Sequence, residues 1–324
     1  MKKNPALDKI TLADLSGPEK YRLSFNRAIG PLLKSIREAG QTSPLLCRKT
    51  GKGFELFSGY LRRDALRELG KKSALALVWP GSALSEIAAF RVAFFENALT
   101  RGLNIIEQAM AAQKLRELGV SSREIAASYF QKAGLPASVA AVEALAALND
   151  LEAGWKIFLA QKQTGLRYAS RLCRLPAPDR KALKILLSLG ATASQFREIL
   201  EMTDAISKRD QTGIGEILGA PELAAVLHDN KSSAPEKLDL LVKSLKKTRH
   251  PNYHKLYSRH QKLLRAMKIP GEVKIEPSDY FEGPEYKMEL TLGKSLPAPE
   301  IFEKILAASR GQDWEKLFEF DDED

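Results

Sequence analysis

Gly59 and Arg62, followed further on by Glu96 and Asn97, are residue types suited to gripping a phosphate group. The stretch Phe57-Ser58-Gly59-Tyr60-Leu61-Arg62-Arg63-Asp64-Ala65 reads as a strand that leaves through a glycine into a helix. Glycine lets the backbone come close to an anion. The start of a helix offers free N–H groups and partial positive charge. Arg62, with Arg63 beside it, adds a planar fork of donors suited to phosphate oxygens. Glu96-Asn97 follows further along the chain. Taken singly, these residues also fit plainer roles: a surface ion pair for Arg62 and a helix cap for Asn97.

A second chemistry is carried by charge. The chain of 324 residues has 50 Lys and Arg against 40 Asp and Glu, a net charge of +10, which favours an anionic partner. From Glu236 to Lys268 the bases Lys237, Lys243, Lys246, Lys247, Arg249, Lys255, Arg259, Lys262, Arg265 and Lys268 face only Glu236 and Asp239. Lys246, Lys247, Arg249, Lys255 and Arg259 are the candidates for sequence-tolerant contact with nucleic-acid phosphates. Tyr253 and Tyr257 could stack on bases or pack on a neighbouring part of the chain. His250, His254 and His260 lack a carboxylate placed to complete a metal site.

The elements that must position these groups follow from periodicity. Residues 10 to 82 read as mixed α/β: strands at Ile10–Leu12, Leu45–Arg48, Phe54–Phe57 and Ala74–Val78, with helices at Ile29–Ala39 and Arg62–Leu69. From Leu84 the pattern is helical, with segments at Ser85–Leu99, Ile105–Leu118, Ser122–Lys132, Ser138–Leu148, Ala153–Gln161, Gly165–Arg174, Pro178–Leu189 and Ser194–Ile206. A long basic helix from Pro235 to Lys268 follows. Strands at Glu272–Glu276 and Tyr286–Leu292 and a helix at Pro299–Ser309 precede an acidic end. Leu118 to Leu148 is a helix-turn-helix candidate in which Arg123 lies on the first helix. Its second helix, Ala137 to Leu148, has no Arg, Lys, Asn or Gln to read bases, and Glu143 opposes phosphate. That helix reads as a packing element.

An apolar fraction of 44% and a charged fraction of 28% describe a globular chain. The apolar runs are too short to span a bilayer, and the first residues do not form a secretion signal. Cys47 and Cys173 lie far apart and fit neither a disulfide framework nor a zinc knuckle. A cytoplasmic protein without membrane contact is the expectation.

The blocks also carry a resemblance. Leu33-Lys34-Ser35-Ile36-Arg37-Glu38-Ala39-Gly40-Gln41 with Pro44-Leu45-Leu46 resembles the opening block of the ParB-like partition proteins. Gly59, Arg62 and Ala65 match the family's second block. Glu96-Asn97, Leu103-Asn104, Ile106-Glu107 and Ala109 match the third without a gap, and Leu166 to Pro176 is similar to the helix after the DNA-binding unit. The resemblance covers about residues 8 to 190 and implies a ParB/sulfiredoxin-like mixed α/β N-terminal domain (1–82) and an all-helical middle domain of helix-turn-helix type (83–228); the pattern beyond adds a small α+β C-terminal domain (235–312) and an acidic tail (313–324), an α+β chain as a whole. It implies a DNA-binding protein of DNA partition or transcription, working as a CTP-dependent clamp or regulator. The implied ligands are CTP and Mg2+, held by Gly59, Arg62, Arg63, Glu96 and Asn97, with Glu96 and Asn97 at the metal. The implied partners are DNA, a second copy of the chain and a partner ATPase.

The sequence departs from the family at four positions. Tyr60 and Leu61 stand where partition proteins carry glutamate and arginine, Asp64 replaces a further arginine, and Thr100 replaces a third, with Arg101 one place late. Each lost charge-assisted contact is worth about 1.5–3 kcal/mol, which weighs against CTP hydrolysis. Tyr60 also occupies the place of the sulfiredoxin nucleophile, a cysteine, so that redox chemistry is excluded. Two other classes stay open: an enzyme, phosphotransferase or nuclease, using the same cradle with Glu96 as base, and an adaptor that keeps the fold but binds only protein partners.

Overall fold

Residues Ser73 to Trp79 alternate in burial: Ala74, Ala76 and Val78 face inward and Leu75 faces out, the signature of a strand covered on one face. The computed structural model of the chain describes residues 4–15, 17–267, 269, 271, 273–278, 281, 283, 285–291, 298–309, 314 and 317. It divides into two compact units, Met1–Leu200 and Glu201–Asp324.

The first unit opens with β1 (Ala6–Thr11), α1 (Gly30–Ala39), β2 (Leu45–Thr50), β3 (Gly53–Ser58), α2 (Tyr60–Glu68) and β4 (Ser73–Trp79). The four strands form one mixed sheet in the order β1-β4-β2-β3. β2 runs parallel to β4, and the other two pairings are antiparallel. β2 turns Leu45 and Cys47 inward. Burial pushes the Cys47 thiol up to about 12, which leaves it protonated and inert.

Helices follow: α3 (Glu86–Thr100), α4 (Ile105–Glu117) and α5 (Ser122–Glu124). The expected helix Ser122–Lys132 widens after α5 into a π-helical turn over Ile125–Phe130. That turn sets consecutive aromatics of one segment against consecutive aromatics of another. Phe130 stacks on Phe94 (5.9 Å, 5°) and Tyr129 on Phe95 (6.0 Å, 6°). α6 (Val139–Ala147), α7 (Ala153–Lys162) and α8 (Leu166–Arg174) complete the packing. The expected helix Pro178–Leu189 is split into α9 (Ala177–Ala182) and α10 (Ile185–Ser188), because hydrogen bonds near Lys184 tighten to the three-residue type. α11 (Ala193–Asp210) runs across the boundary of the units.

The second unit contains α12 (Ile214–Gly219) and α13 (Pro221–His228), which the periodicity did not reveal. The expected single basic helix is two, α14 (Ala234–Arg249) and α15 (Pro251–Ala266). Pro251 has no N–H to continue a helix, and it drives His250 out of the helical region to φ −128°, ψ 67°. β5 (Val273–Pro277) and β6 (Tyr286–Leu290) pair antiparallel, and α16 (Ala298–Ser309) buries Ile301 against Val273 and Ile275. Residues 272 and 292 of the expected strands and the acidic tail, apart from Trp314 and Leu317, lie outside the described residues.

Tyr253 and Tyr257 stack on each other (5.8 Å) and extend into a cluster with His260, Phe281 and Tyr286. Of the two roles open to them, the tyrosines take packing within the chain. His260 is fully buried there, and burial holds its pKa below the ordinary 6.5. The unfolded chain then binds this proton more readily, so the stabilisation is complete above pH 6.5 and lost as pH falls below it. Urea midpoints of the chain are expected to drop between pH 7.5 and 5, and a His260→Phe variant to show a flatter profile. An unchanged slope in that variant would refute the assignment.

Candidate functional site

β3 hands over to α2 through Gly59, whose backbone is left-handed at φ 97°, ψ 22°. This left-handed backbone favours glycine, and a Cβ here would also press on Leu45 Cδ2 at 2.9 Å. The turn sets the start of α2, with its unsatisfied N–H groups, beside Leu45 at the beginning of β2. Arg62, in the first turn, donates from Nη1 to Pro44 O (2.6 Å) and from Nη2 to Glu96 Oε1 (2.7 Å). Ser58 Oγ donates to Glu96 Oε2 at 2.5 Å. Asn97 Nδ2 donates to Ala93 O (2.7 Å) and Ser58 Oγ (3.3 Å). α3 thereby carries Glu96 and Asn97 to the strand end where Gly59 and Arg62 sit. These four residues, with Leu23, Ser24, Leu32 and Thr100, line a cavity of about 330 Å³, within the ordinary size range of small-molecule sites.

Arg63 does not join them. One position further round α2, its side chain is only 9% exposed and pairs with Glu19 and Asp64 while lying over the Tyr60 ring at 5.2 Å. The expectation that it contacts phosphate is corrected by helical phase, since successive residues point about 100° apart. Tyr60 is buried, and its hydroxyl donates to Leu56 O at 2.7 Å.

Arg101, one place after the position of a family arginine, belongs to the site as well. It lies one helical turn after Asn97, and its Nε donates to Asn97 Oδ1 at 2.8 Å. It lines the same cavity. The i, i+4 spacing was the signal that could have found it. Its Nη1 reaches both oxygens of Glu107 at 3.0 Å, and Nη2 donates to Leu23 O at 3.2 Å. Glu107 is fully buried and also accepts from Arg27, Phe25 N and Asn104 N. Burial pushes its carboxyl pKa up, but the Arg27 hydrogen bonds, the Arg101 charge and the two backbone donors outweigh burial and hold it below 4.5.

The donor set suits a phosphate-bearing ligand: a glycine turn, a helix start, Arg62 and Arg101 around one cavity. Glu96 and Asn97, adjacent on one helix, could give magnesium a carboxylate and an amide oxygen, which suffices when phosphates and water complete the shell. Among the described residues, no group of three or more His, Cys, Asp or Glu side chains could hold a metal ion by itself.

The nucleic-acid candidates fall in separate places. Arg123 is exposed on α5. On α6, Val142 and Leu145 are buried, while Val139, Ala140, Glu143 and Ala147 are exposed, a face without base-reading groups. Glu143 is engaged by Arg116 (2.9 Å) and Ser122. In the second unit, Lys247, Lys255 and Arg259, with His254 and Lys262, line one open cleft of about 620 Å³. Lys246 and Arg249 are exposed outside that lining.

No protein-family model matches the chain. The fold and cavity define a mixed-sheet domain with a phosphate-type turn, followed by small helices. Over about a third of its length the chain is similar to chromosome-partitioning proteins of the ParB and Spo0J kind, as the ordered blocks implied. It is 34% identical over 110 residues to the chromosome-partitioning protein Spo0J of Thermus thermophilus, covering 34% of this chain and 40% of that one. It is 32% identical over 124 residues to the probable chromosome-partitioning protein ParB of Coxiella burnetii, covering 37% and 41%. The chain thus matches about two fifths of the length of these relatives. The C-terminally truncated ParB of Caulobacter crescentus, solved as a complex with the centromeric parS site, aligns with 58% of this chain and 96% of its own at 19% identity and a TM-score of 0.35. Among the described residues, no helix is long and apolar enough to cross a membrane.

Proposed function

We propose that this chain is a ParB-like DNA-binding protein whose N-terminal part (1–82, closed by α3) holds CTP with Mg2+ and uses its occupancy to switch a DNA-bound state. The observation that carries the reading is convergence. Gly59 and Arg62 come from one segment, Glu96 and Asn97 from another, and all four line one cavity. The similarity to chromosome-partitioning proteins supports it, and the nucleotide class follows the sequence resemblance.

Arg62 and Arg101 each already hold a carboxylate, Glu96 and Glu107. Taking up a phosphate therefore exchanges a carboxylate for a phosphate at one or both arginines. Arg101 is bonded to Asn97 in α3 and to Glu107 in the first turn of α4, so the exchange bears on the junction between those helices. That junction is the element through which occupancy would reach the helical part and self-association with a second copy. A partner ATPase belongs to the same proposal. Calorimetric titration with CTP and Mg2+, with ATP as comparison, tests it: saturable binding that prefers CTP is expected, and no heat above the ATP control would refute the reading.

DNA would be held without sequence preference by the cleft of Lys247, Lys255 and Arg259. With each phosphate contact adding about 0.9 to the slope of log K against log salt, replacing Lys255 and Arg259 by alanine is expected to lower that slope by about 1–2 on random-sequence DNA. A shift assay across a salt series that leaves the slope unchanged would remove this cleft from the DNA surface.

A further inference from the structure

A second cavity, about 500 Å³, opens in the first unit where the loop around Arg27, the α3–α4 junction and the α7–α8 junction meet. Arg27, Arg101 and Gln108 form part of its wall, Thr164 and Gly165 another part, and no acidic side chain lines it. Three observations at this place point to a ligand. Thr164 is only 3% exposed, and its hydroxyl has no hydrogen-bond partner. Such an orphan is costly and rare in folded chains. Next to it starts α8, nine residues long, with Gly165 as its N-cap and no side-chain cap on its first N–H groups. Opposite charge is also in surplus: Arg27 and Arg101 share the single carboxylate of Glu107, and the Arg27 bonds use Nε and Nη2 but not Nη1.

We propose that this cavity binds a small oxyanion, inorganic phosphate or a phosphomonoester, through the Thr164 hydroxyl, the first amides of α8 and the Nη1 edge of Arg27, with the Arg101 guanidinium adding charge in the wall. A hydroxyl and helix-start amides are donors, and guanidinium edges add charge, the combination that recognises phosphate. The apolar part of the wall, Leu103, Pro136 and Leu166 among it, would accommodate the body of a phosphomonoester. Arg101 lines this cavity and the Gly59 cavity alike. Occupancy here therefore competes for the guanidinium that steadies Asn97. The site itself stands apart from the nucleotide reading; only this coupling rests on it.

Amide spectra of the full chain, titrated with inorganic phosphate against sodium chloride at matched ionic strength, test the site. Saturable shifts are expected at Thr164, Gly165 and Leu166 that chloride does not produce. Glycerol phosphate giving the same shifts at lower concentration would assign the site to phosphomonoesters, and equal or weaker response to free phosphate. Thr164→Val should lose at least 10-fold in phosphate affinity, while its Tm without phosphate rises by about 2–4 °C as the orphaned hydroxyl is removed. Arg62→Ala should keep the response, so failure at the Gly59 cavity is visible separately. Absent shifts, shifts matched by chloride, or shifts retained in Thr164→Val would each overturn the proposal and leave the cavity to solvent. Shifts seen only with a DNA duplex would also overturn it.

Discussion

Replacing Glu107 with alanine is expected to cost about 3–5 kcal/mol of stability, measured as a drop in urea unfolding free energy with an unchanged slope. The side chain is fully buried and is the acceptor for Arg27, Arg101 and the backbone N–H groups of Phe25 and Asn104. Removing it leaves two partly buried arginines with no carboxylate between them, the situation in which a broken buried pair is most costly. It also removes one half of the capping box that starts α4, the bond from Asn104 N to Glu107 Oε2 at 2.9 Å, and leaves the other half, in which Asn104 Oδ1 accepts from the backbone N–H of residue 107. Glu107→Gln keeps the shape and one acceptor, so it should lose less than alanine. The sign of the pH effect follows from the lowered pKa. The carboxylate is favoured in the folded chain, so its contribution is present above about pH 4.5 and lost as pH falls through the lower folded value. A loss below about 1 kcal/mol for Glu107→Ala would mean that the arginines find other partners.

The sequence made some of this visible and hid the rest for physical reasons. The alternation in Ala74–Val78 and the Gly59 turn are local, and β4 and α2 formed within two residues of where the pattern placed them, whereas β1 begins at Ala6, four residues before the expected Ile10. Glu107 stood in a matched block, yet nothing in its type showed that it would be buried, because its partners Phe25 and Arg27 lie some 80 positions away. Arg101 looked like a misplaced arginine until the helical spacing to Asn97 was read as a contact. The break at Pro251 was written in the chain, but the basic pattern on both sides ran on without a change of period. The π-helical turn at Ile125–Phe130 is set by four aromatic rings that meet only in three dimensions. The orphaned hydroxyl of Thr164 is a property of packing, and no motif announces it.

Arg62 and Arg63 are neighbours of the same type, and the structure gives them opposite expectations. Arg62 lines the Gly59 cavity, while Arg63 is turned to Glu19, Asp64 and the Tyr60 ring. Arg62→Ala should therefore weaken CTP binding by about 10- to 150-fold, the value of a charge-assisted contact of 1.5–3 kcal/mol. Its effect on stability should be small, since the Arg62–Glu96 pair is partly exposed, at 17% and 29%, and Ser58 still holds Glu96. Arg63→Ala should reverse the pattern. It strips one of two arginine partners from Glu19, whose pKa burial raises but the Arg63 and Arg22 hydrogen bonds bring down below 4.5, so stability falls while CTP affinity stays within about twofold. Arg62→Lys separates charge from geometry, because an ammonium cannot donate to Pro44 O and a phosphate as one planar fork. It should recover only part of the affinity. Calorimetry and urea unfolding on the three variants read both axes at once. Equal losses of affinity in Arg62→Ala and Arg63→Ala would show that the phosphate is held by general positive charge at the start of α2 and not by the one arginine that faces the cavity.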